Sequence, residues 1–501
     1  MQLALWQSIP FACILLPLGS AAMTSVLRGR AARYWTTFVL CAEVVLSAVF
    51  VGLMHRFGGS YTYMMGHYPA PWGNEIRAGL LEAVTALFFS LIMLLSLLGG
   101  LKKIDEHILK DKVSLYYVML LLLSSALMAQ VYTNDIFTAY VFLEIMTLSA
   151  CSLIAARNRG RTLVAATRYM IMNLVGSGLF LLGIILLYDL TGHLLMSNMK
   201  EAVAALHASG DYRMPLTVVV ALITSGLAIK SALFPFHTWV PDAYAFSTPT
   251  SSAVLSSLVS KGYIFLLIKI MYRVIGMDVI QDTGILNVLF LFALLAMVMG
   301  SVSAIRQNDI RRMIAFSSVA QIGYIYLGIG LGTEMGMMAA LFHVFTHSVC
   351  KSMLFLAAGG LADASGNSKV FRDLRGSGWR APVAGVAFTV GALSMVGFPF
   401  LGGFCSKLNF ALAAMEVDEV RQLLVLVVLI ISTWLNTIYF LRTVVTLYRK
   451  PAEGVIYPVE KGRRGFCYNA ALVCFCAVNI ALGLFSQGII SAITEGLKLF
   501  G

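Results

Sequence analysis

Fourteen apolar runs recur along this chain of 501 residues, each about 20 residues long, enough to cross the hydrocarbon layer of a bilayer as a helix. They centre near residues 14, 44, 90, 122, 145, 177, 223, 262, 292, 321, 347, 392, 433 and 477. Lipid offers no water to backbone N–H and C=O groups, so such runs must satisfy those groups internally as helices. Charged residues make up 12% of the chain and hydrophobic residues 59%. A soluble protein carries about twice that charged share, so one water-facing globule is excluded. The expected fold is an all-α polytopic membrane protein. The opening MQLALWQSIPFACILLPLG has no basic leader region and reads as a spanning segment rather than a cleavable signal.

The formal charge of +12 raises nucleic acid or anionic lipid as partners, but the positions of the 36 Lys and Arg give another reason for it. With the N-terminus outside, 22 of them fall in inner loops: residues 28–33, 102–112, 157–161, 306–312, 369–380 and 449–464. Seven fall outside (Arg56, Arg77, Lys200, Arg213, Arg273, Arg421, Lys498), and seven lie within helices. This asymmetry is the positive-inside rule. It predicts a multi-pass protein of the cell membrane with both termini outside, and no nucleic-acid partner.

Two helices carry a lysine beside a proline. Lys230 precedes Pro235 in AIKSALFPFHTW, and Lys407 follows Pro399 in GFPFLGGFCSK. A cation at the bilayer centre costs roughly 2.5–3.5 kcal/mol on insertion scales, and proline frees a carbonyl that lipid cannot satisfy. Both costs together make sense where protein and water surround the site, which points to an ion path. Residues 1–109 hold three peripheral helices, and 110–275 and 276–450 hold five helices each. Residues 451–501 hold a loop and the last helix. The fourth helix of each five is the proline-broken one. An odd helix number inverts the second group relative to the first, the pattern of two inverted repeats.

Several ionisable residues sit inside the runs. Glu144, in TAYVFLEIMTLSACSL, needs a partner or a proton, because burial disfavours the ionised form. Lys230 is the candidate partner; the alternative is a static structural pair. Lys261, in SSLVSKGYIFLL, follows the polar run STPTSSAVLSS, whose hydroxyls either hold water in line or let helices pack closely. Lys269, two turns later, reads as snorkelling to the outer interface. His343, His347 and Lys351 repeat every four residues and share one helix face. Two histidines four apart also suit zinc, but no third ligand is evident, and a proton relay fits histidine's titration range. Glycines 397, 402 and 403 around Pro399 permit an unwound stretch beside Lys407. Arg168 reads as an anchor at an inner helix end, and Glu43 as a residue facing a partner subunit. Eight cysteines lack a CxxC grouping and read as small buried hydrophobes, with no metal or cofactor site expected.

The motifs IKSALFPFHTWVPDAY, SLVSKGY, EIMTLSAC, NDIRRMIAFSSVAQIGY and HVFTHSVCKSMLFLAAG resemble the antiporter-like membrane subunits. These are shared by respiratory complex I, Mrp-type cation/proton antiporters and energy-converting membrane-bound hydrogenases. The likeness covers roughly residues 110 to 450. It implies fourteen core helices and two inverted half-channels joined by a charged axis. A glutamate on the fifth helix and a lysine on the broken seventh match Glu144 and Lys230. The central lysine matches Lys261, and later positions match His343, His347, Lys351 and Lys407. The resemblance favours an Mrp D-type or hydrogenase-type subunit over a complex I subunit.

The expected function is proton translocation within a multi-subunit complex of antiporter or redox-driven type. Whether the chain counts as part of an enzyme depends on that complex. On this expectation protons enter from the inner side near the first break and pass along Lys261, His347, Lys351 and Lys407. They leave through the second half-channel, with Glu144 as a charge switch. The rivals are sodium translocation, which an axis of lysine and histidine suits poorly, and a quinone-binding redox subunit. A solitary nutrient carrier is a third.

Overall fold

The computed structural model describes residues 5–65, 68, 73–450 and 465–500. The membrane-length helices are α1 (Ile9–Val26), α2 (Arg30–Phe57), α3 (Leu80–Leu98), α4 (Val113–Tyr132), α5 (Ile136–Ala155), α6 (Gly160–Thr191) and α7 (Arg213–Ser231, continued by Val240–Phe246). They go on with α8 (Pro249–Ile275), α9 (Ile285–Ile305), α10 (Ile310–Leu331), α11 (Glu334–Asp363), α12 (Pro382–Val396, continued by Gly402–Ala413), α13 (Glu419–Tyr448) and α14 (Phe466–Leu484). Thirteen are long and apolar enough to cross a membrane, and α12 is the shorter, interrupted one. Every run centre read from the sequence falls inside its helix.

Both predicted interruptions are present. Helix α7 ends at Ser231, and Ala232 takes φ +67°. Leu233 N–H then reaches back to the Ala228 carbonyl at 3.0 Å, and the chain resumes as a 3-10 turn at Phe236. Pro235 has no N–H to carry the helix on, and it biases the residue before it away from helical geometry. In α12 the first half ends at Val396 with Gly397 at φ +97°, and the second half starts at Gly402. Lys230 therefore lies in the last turn before its break, whereas Lys407 lies in the half-helix after its own. The two are not position-for-position counterparts.

Helices α8 and α11 are buried over their whole spanning windows and form the centre of the bundle. Helix α8 contains two π-helical turns, Leu255–Val259 and Met271–Ile275. Such turns leave carbonyls off the regular ladder and recur at functional sites. Helices α6 and α7 meet at Gly176 and Gly226. A Cβ at either would come within 2.8 Å or 2.7 Å of the other's carbonyl oxygen, so only glycine allows this approach.

Loop contacts sort the bundle into two ends. At one, Arg33 pairs with Asp105 (3.1 Å), Lys103 with Asp363 (3.0 Å) and Arg312 with Asp242 (3.5 Å). At the other, Asn134 Nδ2 donates to Glu75 Oε2 (3.0 Å) and His207 pairs with Asp282 (2.9 Å). The second end also holds Trp6, stacked on Phe57 at 5.2 Å, and the end of α15 (Ser486–Phe500), where Arg77 donates to the Leu499 carbonyl. Both described chain ends thus lie opposite the basic end. Lys461, Arg463 and Arg464 lie outside the described residues.

Two features lie outside the fourteen-helix reading. The polar excursion after α2 holds an antiparallel hairpin, β1 (Tyr61–Met64) against β2 (Glu75–Ala78). Its alternating side chains rest one face on the bundle, a short-range signal hidden among glycine and proline. Beyond α14, α15 covers α3 and α11 with Ile493, Leu497 and Phe500 buried. At 15 residues it is shorter than a span, so no run of spanning length marks it in the sequence.

Candidate functional site: a buried row of amines and imidazoles

The first cluster hangs on the close approach of α6 and α7. Gly176 lets α7 in, so Lys230 lies against α5 and α6, and the neighbouring Ser177 reaches Glu144. Lys230 Nζ is 3.3 Å from Glu144 Oε1 and donates to Thr147 Oγ1 at 2.9 Å. The lysine is fully buried and the Glu144 side chain is 25% exposed, so the carboxylate stands at the edge of the bundle. Thr147 and the Tyr263 hydroxyl lie 3.0 Å apart, and the Tyr263 ring is under the Lys230 ammonium at 5.4 Å. Tyr263 belongs to α8, two residues from Lys261.

The π-helical turn of α8 prepares the next amine. Lys261 Nζ donates to the Ser256 carbonyl at 2.5 Å and to Ser260 Oγ at 3.1 Å. Ser256 Oγ touches Ser318 Oγ of α10 at 3.0 Å. The adjacent Ser317 accepts from Lys351, which also reaches the Ile314 carbonyl at 3.3 Å. Lys261 and Lys351 therefore meet the same serine-lined seam between α8 and α10, where Ser318 Oγ and the Lys351 amine both donate to the Ile314 carbonyl.

On α11, His343 and His347 stack with centroids 5.8 Å apart and planes 11° from parallel. His343 Nδ1 meets Ser406 Oγ at 2.7 Å, and its ring lies 5.5 Å from Tyr324. Both ring nitrogens of His347 and Nε2 of His343 are buried without a protein partner among the described residues. Lys407 Nζ is 5.8 Å from the Tyr324 ring. It donates to Thr433 Oγ1 at 3.0 Å and to the Val396 carbonyl, freed by the α12 break, at 2.8 Å. Among the described residues, Lys230 is the one of these four lysines with a carboxylate within ion-pair reach.

All seven sequence-predicted residues are thus buried or half-buried, and hydroxyls or stacked rings link most of them. Other expectations need correction. Lys269 does not snorkel: it is buried and donates to the carbonyls of Gln130, Val131 and Thr133, the unpaired end of α4. Glu43 faces inward, accepting from Ser124 Oγ at 2.8 Å, rather than outward to another subunit. Arg168 does tie a helix end, pairing with Asp242. Sequence reasoning missed the linking residues Thr147, Tyr263, Ser317 and Tyr324, and it also missed the buried pair Arg273–Glu82 under α15. Hydroxyls carry no charge to flag them, and Arg273 reads in the sequence as an outer-loop residue.

Residues 133–434 match the family described as NADH:quinone oxidoreductase/Mrp antiporter, transmembrane part. The chain belongs to this family. One relative in it, NADH-quinone oxidoreductase subunit N of Desulforudis audaxviator, is 33% identical over 97% of this chain and 98% of its own length. The D-type subunit of the Na(+)/H(+) antiporter of Bacillus subtilis is 24% identical over 90% of this chain and 88% of its own length. Among solved structures, a chain of the membrane-bound sulfane sulfur reductase, an archaeal respiratory membrane complex, superposes with TM-score 0.88 at 26% identity, covering 98% of each chain. A chain of the Mrp complex from Dietzia sp. shares the fold, with TM-score 0.85 at 22% identity over 99% of this chain and 97% of that one. The antiporter-like resemblance read from the motifs is therefore correct, and the relatives span its complex I and Mrp branches.

Proposed function

We propose that this chain is a proton-translocating subunit of a larger membrane complex, driven by redox chemistry or by cation exchange elsewhere in that complex. One observation carries the reading: three buried amines, the half-buried Lys407 amine and two buried imidazoles lie along the bundle, each amine on hydroxyl or carbonyl oxygens, with a carboxylate at one end. Buried amines without counter-ions are costly, and buried ring nitrogens require hydrogen-bond partners, which water supplies. A row of nitrogen bases with water between them passes protons. Sodium prefers oxygen ligands, which this row does not cluster.

Glu144 acts as the switch. While it faces Lys230 at 3.3 Å, it stabilises the ammonium there. When its charge is screened or its side chain swings toward the exposed edge, that stabilisation falls and the proton moves toward α8. Lys261, Lys351, the histidine pair and Lys407 then relay charge toward the second break. The relatives support this assignment, since they are subunits of respiratory and antiporter complexes. Helices α4–α8 and α9–α13 are read as the two inverted units, each with its broken fourth helix. The basic end is read as the inner side of the cell membrane, which places both described chain ends outside.

The test is proton flux through the purified, assembled complex in vesicles under sodium-free conditions. The parent complex acidifies or alkalinises the lumen when driven, and Lys407→Ala stops it without loss of other subunits. Flux that requires sodium, or survives Lys407→Ala unchanged, contradicts the reading.

A further inference from the structure

At the basic end of the bundle, a cavity of about 730 Å³ opens between α3, α8, α11, α12 and α14. Its mouth carries Asp105, Glu106 and Asp363 in ion pairs with Arg33, Lys102 and Lys103. Such a polar rim and this volume hold many waters. Leu98 and Gly99 of α3, Pro249 of α8, and Leu356 and Gly359 of α11 line it. Next to Pro249, the Thr250 hydroxyl is buried with no hydrogen-bond partner among the described residues. It packs on the backbone beside the cavity, where a Cβ at Gly100 would sit 1.5 Å from its oxygen.

One helical turn further in, a serine of α3 meets a serine of α11, which in turn meets α8. Ser96 lies three residues from Gly99, and Ser352 lies four from Leu356. Ser96 Oγ donates to Ser352 Oγ at 3.2 Å, and Ser352 Oγ donates to Ser257 Oγ at 2.7 Å. Pro249, Ala253 and Ser257 follow at four-residue spacing, so one face of α8 runs from the cavity wall to Ser257; the π-helical turn then lies between Ser257 and Lys261, whose amine rests on the Ser256 carbonyl and Ser260 Oγ. Ser257 now donates to the Ala253 carbonyl, and Ser348 of α11 donates to the Ser257 carbonyl at 2.6 Å. This face lies on the α3–α11 side of α8, whereas the first break belongs to α7.

We infer that this cavity is the proton-uptake vestibule of the chain, and that Ser96, Ser352 and Ser257 carry protons from it to Lys261. This rests on the proposed proton-translocating function and moves the entry away from the first break. The step balances. A hydronium in the cavity gives one proton to Ser96 and remains as water. Each hydroxyl oxygen accepts a proton and releases its own to the next. Rotation of the Ser257 hydroxyl, with the Lys261 side chain swinging toward it from Ser260 Oγ, delivers the last one to a neutral Lys261 amine, which becomes an ammonium after its earlier proton has moved on toward Lys351.

The exposed thiol of Cys467 also lines the cavity and gives a way to plug it. The experiment measures driven proton flux in vesicles holding the assembled complex. Ser352→Ala breaks the relay and slows flux by about tenfold, the effect of roughly one hydrogen bond in the barrier, and Ser352→Thr keeps the hydroxyl and restores it. A bulky, impermeant methanethiosulfonate added on the cavity side slows the parent complex similarly but leaves Cys467→Ser untouched. Lys351→Ala serves as the reference for the row itself. Unchanged flux after both Ser352→Ala and the Cys467 label, with Lys351→Ala inactive, overturns the vestibule and leaves the proton reading standing. Unchanged flux in Lys351→Ala as well overturns both.

Discussion

Replacing Glu144 by Gln removes one charge from the row and keeps nearly the same shape. Gln retains an acceptor for Ser177, so the α5–α6 contact survives. What changes is the field at Lys230. Two unit charges 3.3 Å apart interact by ~5 kcal/mol at an effective dielectric near 20, and breaking buried pairs costs about 3–5 kcal/mol. Thr147 Oγ1 at 2.9 Å then remains as the nearest partner of the ammonium, and it carries no charge. If half of the pair energy enters the barrier to proton movement, ~2.5 kcal/mol, the rate falls on the order of 70-fold. The assay is dye-reported proton flux in vesicles carrying the assembled complex, with the full set of subunits checked on the same preparation. Glu144→Asp, which keeps the charge at a longer distance, recovers part of the rate. Flux in Glu144→Gln within about threefold of the parent, in an intact complex, refutes the switch and leaves a static pair.

Three further outcomes follow from the packing and the loops. Arg273→Ala leaves Glu82 buried and unpaired and removes the donor to the Phe500 carbonyl, so it destabilises the α15 end of the bundle by about 3–5 kcal/mol; amide exchange in 486–500 accelerates, and unaltered exchange there contradicts this. Gly226→Val drives a side chain into the Gly176 carbonyl and Phe180, costs about 1–3 kcal/mol or more, and lowers flux by displacing Lys230; a variant with parent-like melting and flux contradicts the role of this contact. Burial, helped by the charges of Arg157, Lys103 and Arg311, pushes the His107 imidazole of the loop helix Leu101–His107 down to about 4. The unfolded loop binds a proton below about 6.5 while the folded one stays neutral, so this contribution is full above pH ~6.5 and is lost as pH falls from about 6.5 toward 4. Melting of the detergent-held complex therefore drops between about pH 7 and 5, and His107→Gln drops less; equal drops contradict it.

The helices, their number and both breaks were legible because bilayer thickness and proline chemistry leave few alternatives for such runs. The charged members of the row were legible too, since a lysine or glutamate inside an apolar helix stands out. The linkers were not. Thr147, Ser317 and Tyr324 are ordinary residues of membrane helices, and what distinguishes them is which lysine their hydroxyl or ring meets across the bundle. Lys269 misled for a related reason. Its position two turns from Lys261 suggested an interface, but the carbonyl end of α4, distant in sequence, binds it inside. Glu43 likewise turned inward to Ser124, a contact that no local pattern announces. The cavity at the basic end depends on five helices meeting, so a one-dimensional reading had no access to it.

On the proposed route, Lys261 is the residue at which uptake from the cavity, the Glu144–Lys230 pair and transfer toward Lys351 converge. Driven proton flux through the assembled complex carrying Lys261→Ala therefore tests the whole path at once. Flux indistinguishable from that of empty vesicles is expected, with every subunit still present. Flux at the parent rate would show that protons cross by another path.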